Sequence, residues 1–302
     1  MKSKELKGTK IKVSKKDRVI DAIIVVVMLL ILIATVYPMY YVCVASVSNS
    51  NAVAANPGKL LWPIDFSLYA YKLAFEHPLI MTGYKNTLII LFVSLPLNLL
   101  MTLLAGYFMA AENMKFKKII VAFLMLPMYF NGGLIPGYLN IRDLGLYNSL
   151  WALILPGALS IFNAIICRTA IQSIPSSLVE SAKIDGATDF IVLIKIIMPL
   201  IKATMAVLVL YYGVAHWNNW FNASIYIKDD VLMPVQNVLR SILLANDTSN
   251  SLASGMNGDD FNEYANAIKY AAIVISTLPI VCVYPFLQKY FVKGTMVGAV
   301  KG

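Results

Sequence analysis

Between residues 173 and 199 the chain reads Ser173-Ile-Pro-Ser-Ser-Leu-Val-Glu-Ser-Ala-Lys-Ile-Asp-Gly-Ala-Thr-Asp-Phe-Ile-Val-Leu-Ile-Lys-Ile-Ile-Met-Pro199. Pro175 stops a helix arriving from upstream, because it has no N–H to donate and its ring clashes with the preceding turn. Ser177 and Glu180 have the S-x-x-E spacing of a capping box, which predicts a new short helix beginning there. Gly186 ends that helix, since glycine takes the left-handed conformation that a helix C-terminus favours. Thr188 or Asp189 can cap a second helix, and Pro199 bends it into the apolar stretch that follows. The pattern predicts two short helices lying at a surface, at an angle set by Gly186.

The flanking sequence says what kind of surface. Of the 302 residues, 59% are hydrophobic and 14% charged, where a soluble domain carries roughly a quarter charged. The mean hydropathy is +0.71, more apolar surface than one soluble core can bury. Soluble enzymes and disordered chains are excluded on this ground. A bilayer core about 30 Å thick needs roughly 20 apolar residues per helix. Six stretches meet that length, at 19–46, 84–111, 119–139, 149–171, 200–223 and 265–286. The expected fold is an all-α polytopic membrane protein with six transmembrane helices and both termini on one side.

Charge gives the side. Eighteen of the 25 basic residues fall in the leading tail, in the segments joining spans two to three and four to five, and at the C-terminus. Acidic residues divide seven to nine, so the faces carry about +11 and −2. The basic face is cytoplasmic by the positive-inside rule. The net charge of +9 is therefore a topology signal, and no nucleic acid is needed to explain it. These assignments divide the chain into a cytoplasmic basic tail (1–18), a first helix (19–46) and an extracellular loop (47–83). A five-helix core (84–290) follows, holding the cytoplasmic loop 173–199 and an extracellular loop 224–264, and then a cytoplasmic tail (291–302). The first span has a basic flank like a signal peptide but is too long and lacks an A-x-A-like cleavage site, so it reads as an uncleaved anchor.

Several chemistries are missing. There is no GxxxxGK[ST] loop, no HExxH and no nucleophile elbow. Cys43, Cys167 and Cys282 stand apart in apolar stretches, without metal or CxxC spacing. The only histidines are His77 and His216. Asp259, Asp260, Asn262 and Glu263 lack EF-hand spacing and read as part of a solvated, polar loop running from 245 to 263. The middle of every span lacks an acidic residue, which weakens an ion-coupled carrier.

The 173–199 segment resembles the EAA loop of binding-protein-dependent ABC importer permeases, whose pattern is E-A-A-x3-G-x9-I-x-L-P. Glu180, Ser181 and Ala182 are followed by Gly186 and by Ile196, Met198 and Pro199. Ser181 stands in place of the middle alanine and Met198 in place of the leucine. The run Ile184-Asp185-Gly186-Ala187 is similar to the form in carbohydrate permeases of the maltose-permease type. Ala105-Gly106-Tyr107, Trp217-Asn218-Asn219-Trp220-Phe221 and the tail from Tyr284 to Gly302 extend the likeness to the LplC/YtcP-type branch of that family, over nearly the whole chain.

The resemblance implies a type I ABC importer permease fold, in a bacterial cell membrane, and a non-catalytic role for this chain. It implies a second permease (a heterodimer by family habit), two ABC ATPase subunits and an extracellular solute-binding lipoprotein as partners. No cofactor is expected on this chain; ATP and Mg would belong to the ATPase. Glu180, Ser181, Ala182, Asp185, Gly186 and Pro199 would form the ATPase-coupling element, with Glu180 either pairing with the ATPase or capping its own helix. A sugar substrate calls for aromatic platforms beside amides, which points to Asn98, Asn163, Trp217, Asn218 and Trp220, with Asn222, as the substrate path. An interfacial aromatic belt and interhelical hydrogen bonds explain the same residues without a substrate. Another polar cargo, an ion-coupled secondary transporter and a membrane scaffold are the competing readings.

Overall fold

The computed structural model describes residues 15–56, 58–111, 115–252 and 268–285. The described residues are helical throughout their regular structure. Most of the 1–18 tail, the 291–302 tail and residues 253–264 of the expected outer loop lie outside them.

Helix α1 (Lys15–Ser46) is apolar on every side and exposed along nearly all its length, as suits a helix surrounded by lipid. Only its C-terminal end packs, where Val44 and Ala45 meet Val53 and Leu60 and Tyr41 meets Tyr270 edge-on at 5.8 Å. The short helices α2 (Ser50–Ala55) and α3 (Tyr69–Glu76) then lead to α4 (Pro78–Ala110). Pro78 is pre-shaped for a first helical turn, and the His77 ring accepts from the Leu79 N–H.

Helix α4 is the axis of the bundle. Asn86, Ile90, Ser94, Asn98, Thr102 and Gly106 recur every four residues and are all buried, forming one continuous face. Polar groups at membrane depth turn to the bundle interior, where other helices can satisfy them. At the upper end of this face, Asn86 donates to the Val231 and Met233 carbonyls, and Thr87 receives the Val235 N–H. At the lower end Gly106 lies so close to the next helix that a Cβ there would stand 2.9 Å from both Cβ and Sγ of Cys167.

The six apolar stretches are not six straight helices. The third breaks into α5 (Lys117–Tyr129) and α6 (Leu134–Asp143), 114° apart. Asn131, Gly132 and Gly133 form the break, with Gly133 at φ +91°. The fourth divides at Pro156-Gly157 into α7 (Trp151–Ile154) and α8 (Ile161–Gln172). Twelve residues of α8 reach only about 18 Å, so that stretch crosses the bilayer core only with its irregular leader. Irregular backbone at such depth requires protein or water around it.

The 173–199 stretch holds α9 (Ser176–Ile184) and α10 (Asp189–Ile191), a π-helical turn over Val192–Ile197, and α11 (Met198–Leu200). The chain bends by 85° before α12 (Lys202–Trp217), and Asn218 ends that helix ahead of α13 (Trp220–Tyr226). Helix α14 (Val235–Leu252) follows, and among the described residues helix α15 over Ile268–Pro285 comes last. The first eight residues of the expected polar loop at 245–263 are thus helical. Among the described residues three helices are long and apolar enough to span a membrane, or five if each bent pair is one span.

Candidate functional site

Two places gather the residues singled out by the sequence. The first is the α9 connector. Its helix buries no residue, although Val179 and Ala182 lean on a core of Leu103, Cys167, Val192, Leu193 and Ile197. Leu178, Ile184 and Phe190 stay exposed, Ile184 at 86%. Gly186 has φ +83° and sends its N–H to the Lys183 carbonyl, while the Ala187 N–H reaches the Ala182 carbonyl. This is the left-handed helix ending that glycine permits.

The capping box does not form. Helix α9 starts at Ser176, with Pro175 in the cap position and no side-chain hydrogen bond. Ser177 is therefore already inside the first turn, and Glu180 projects from an exposed face without a hydrogen bond among the described residues. Thr188 does cap the following turn, accepting from the Ile191 N–H. Asp189 accepts from Lys183 Nζ at 3.0 Å and from the Tyr107 hydroxyl at 2.8 Å. Those two bonds and the Lys183 charge hold its carboxyl below the usual range. The connector is thereby tied to the lower end of α4. Ser181 and Asp185 are exposed, and Pro199 sits in the short helix just before the 85° bend.

The second place is a cavity of about 390 Å³ between the α7–α8 break and the upper half of α12. Asn163, Ser160, Tyr211, Tyr212, His216, Asn219, Asn222 and Tyr226 line it with apolar neighbours from 152–159. It lies about ten residues up α12 from Lys202, or about 15 Å along that helix. Behind its wall, Asn98 Nδ2 donates to the Gly157 carbonyl at 2.6 Å. His216 Nε2 is 2.9 Å from Asn98 Oδ1. One turn below, Tyr212 is hydrogen-bonded to Thr102 at 2.6 Å and accepts from the Ser160 N–H. Residues 98 and 102 on one helix and 212 and 216 on the other are both i, i+4 pairs, so two faces lock together through two bonds.

The expected path residues separate here. Asn163 lines the cavity, and Asn98 is fully buried behind it. Trp217 turns the other way, into the core with Val235 and Ile268, donating to the Ser276 carbonyl and packing edge-on to Tyr84. Asn218 is exposed at the end of α12, and Trp220 stacks under the Arg240 guanidinium at 4.1 Å. The structure does not bring these three to the cavity. His216, Tyr211 and Tyr212 take their place. Three polar-tipped rings within one apolar span were the sequence signal for them.

Comparison with known proteins gives one consistent answer. The family described as binding-protein-dependent transport system inner membrane component matches residues 86–297. The polygalacturonan/rhamnogalacturonan transport system permease protein YtcP of Bacillus subtilis is 36% identical over 95% of this chain and all of its own length. The protein LplC of Bacillus subtilis is 38% identical over 89% of this chain and 90% of its own. Among solved structures, a chain of a bacterial ABC transporter involved in import of the acidic polysaccharide alginate is similar with a TM-score of 0.84 and 28% identity. It is matched over 93% of this chain and 100% of its own.

Proposed function

Because the chain belongs to the family of binding-protein-dependent transport system inner membrane components, we propose that it is the permease subunit of an ATP-driven importer whose cargo is an oligosaccharide. As a membrane component of that family it is a translocase part and not a catalyst in itself. The observation that carries the proposal is the α9 connector, a helix with no buried residue held between two spans and ended at Gly186 by a left-handed turn. Such a helix fits a cleft of a soluble subunit, and Glu180 and Ile184 offer it a charge and an apolar contact. Closure of an ATPase dimer would push the connector, and the tie through Asp189 to Tyr107 would pass that push to α4. ATP and Mg would be held by the ATPase, a second permease would complete the pathway, and an extracellular binding lipoprotein would deliver the sugar. In this reading each broken apolar stretch is one span, which gives six and leaves both termini in the cytoplasm.

The saccharide assignment is supported by the chemistry of the cavity, whose amides, phenols and hydroxyl match sugar hydroxyls. It is supported also by the names of the relatives. The test is purification of the tagged chain in mild detergent, wild type beside a Glu180→Ala/Gly186→Pro double variant, with co-purifying subunits identified by mass spectrometry. The expected result is a second permease and an ATPase with wild type, and loss of the ATPase from the variant. Recovery of the chain alone, even after crosslinking, would sink the proposal.

A further inference from the structure

We propose that His216 is a specificity residue of the cavity, presenting Nδ1 as a hydrogen-bond acceptor to a sugar hydroxyl and so favouring neutral saccharides over uronates. The inference rests on the saccharide reading above and deepens it.

The protonation of the ring follows from its neighbours. The Gly157 carbonyl can only accept, so the Asn98 atom 2.6 Å away must be the amide nitrogen. Asn98 then faces His216 with its oxygen, which also only accepts, so the proton lies on His216 Nε2. A flipped amide would set oxygen against oxygen at that distance. The second ring nitrogen of a neutral imidazole is an acceptor. Asn98 is fully buried, so turning it would strand two polar groups away from water.

Nδ1 has no hydrogen-bond partner among the described residues, and the ring lines the cavity. It is also not sealed off. The buried side-chain atoms without partners among the described residues are Ser94 Oγ, Arg168 Nε and Asn237 Oδ1, and Nδ1 is not one of them. Among the described residues no Lys, Arg, Asp or Glu lines the cavity. A carboxylate placed against the Nδ1 lone pair would meet no cation among the described residues lining the cavity, and desolvating it unpaired is costly. A sugar hydroxyl meets an acceptor there, and meets amide donors in Asn163 and Asn219. A uronate cargo would need its charge met by the second permease.

The chain has two histidines, so ring-15N histidine incorporated into this chain alone, reconstituted with unlabelled partner subunits, gives two imidazoles, and His77→Asn assigns them. Expected is a neutral His216 with the proton on Nε2, whose Nδ1 signal moves on adding the neutral probe xylotetraose and not on adding tetragalacturonate. Asn98→Leu should abolish the tautomer preference. In proteoliposomes, His216→Leu should lower xylotetraose uptake by tenfold or more, and His216→Lys should shift the uptake ratio toward tetragalacturonate, with assembly of the complex checked by co-purification. An Nδ1–H tautomer, a ring that responds to complex assembly but to neither sugar, or one that takes up a second proton with tetragalacturonate overturns the inference. An uptake ratio unchanged by both substitutions does so too, and leaves the import function standing. A wild-type complex that moves neither saccharide removes the proposed function itself.

Discussion

A methyl group added to Gly186 would touch nothing within 4 Å, so the position is constrained by its backbone alone. At φ +83° a Cβ costs about 1 kcal/mol, and proline, locked near −65°, cannot adopt the angle at all. Gly186→Ala should therefore lower sugar-stimulated ATPase coupling a few-fold, while Gly186→Pro should abolish it; equal activity of the two would show that the helix angle is not what couples. Glycine's role was legible in the sequence because left-handed helix endings are a local matter. That of Glu180 was not. Pro175 takes the cap position itself, which starts the helix before Ser177 and leaves Glu180 too far along to reach back. A free carboxylate on an exposed helix makes the pairing reading the stronger one. Glu180→Gln should leave the melting temperature of the chain unchanged but cut ATPase recovery by about tenfold, the 1.4 kcal/mol of one modest charge pair. A fall in melting temperature with full ATPase recovery would return Glu180 to a structural role.

Among the elements, α4 shows most clearly what hydropathy reads and what it misses. An apolar average finds the span; its C-terminal end falls within a residue of the expected one, while the helix begins six residues earlier, at Pro78. Which side faces the bundle is a matter of direction, carried by the four-residue recurrence from Asn86 to Gly106. The partners of that face lie 59 to 147 residues away, so no local pattern announces them. The breaks in the third and fourth stretches were hidden for a related reason: Pro127, Pro156 and the paired glycines lower the average too little to divide a span. Gly106 offers the sharpest test of this packing. Gly106→Ala must displace Cys167, and the overpacking should cost about 1–3 kcal/mol, read as a lower melting temperature in detergent. Adding Cys167→Gly removes both clashing atoms and should restore part of the loss, a non-additivity expected of touching sites. Additive losses would mean the helices are farther apart than described. The lower end of α4 also depends on pH through Asp189. Its carboxyl is held below the ordinary value of 3.8 by Lys183 and then Tyr107, so the tie is complete above that value and is lost as pH falls through the lowered one. Hydrogen exchange of the 184–189 amides should be flat in protection from neutral pH down to about pH 5 and weaken only in stronger acid. Both partners are well exposed, so the tie itself is worth at most about 1 kcal/mol.

For the whole molecule, the charge division and the helix geometry make separate demands on topology. Under the six-span reading proposed above, eighteen basic residues against seven would put α9 in the cytoplasm. The path from there to the Asn148–Asp229 contact, where Asn148 donates to the Asp229 carboxylate at 2.9 Å, runs up α12 and through α13. That contact should therefore face outside. The 114° bend between α5 and α6 is the weak link, because a pair bent so far could dip into the bilayer and return. The two routes put Asp143 on opposite faces. Single cysteines at Lys183→Cys, Asp143→Cys and Asp230→Cys, in a background with Cys43 and Cys282 replaced by serine and Cys167 left buried, can be probed with an impermeant maleimide. Asp143→Cys and Asp230→Cys should label in intact cells, and Lys183→Cys only after permeabilisation. If α5 and α6 return to the cytoplasm instead, Asp143→Cys will need permeabilisation. Helix α8 would then carry the connector to the outside unless it too fails to cross. With Lys183→Cys still inside, both stretches would have to be re-entrant, leaving four spans. Lys183→Cys labelled in intact cells would set the positive-inside rule aside and take the ATPase-docking role of α9 with it.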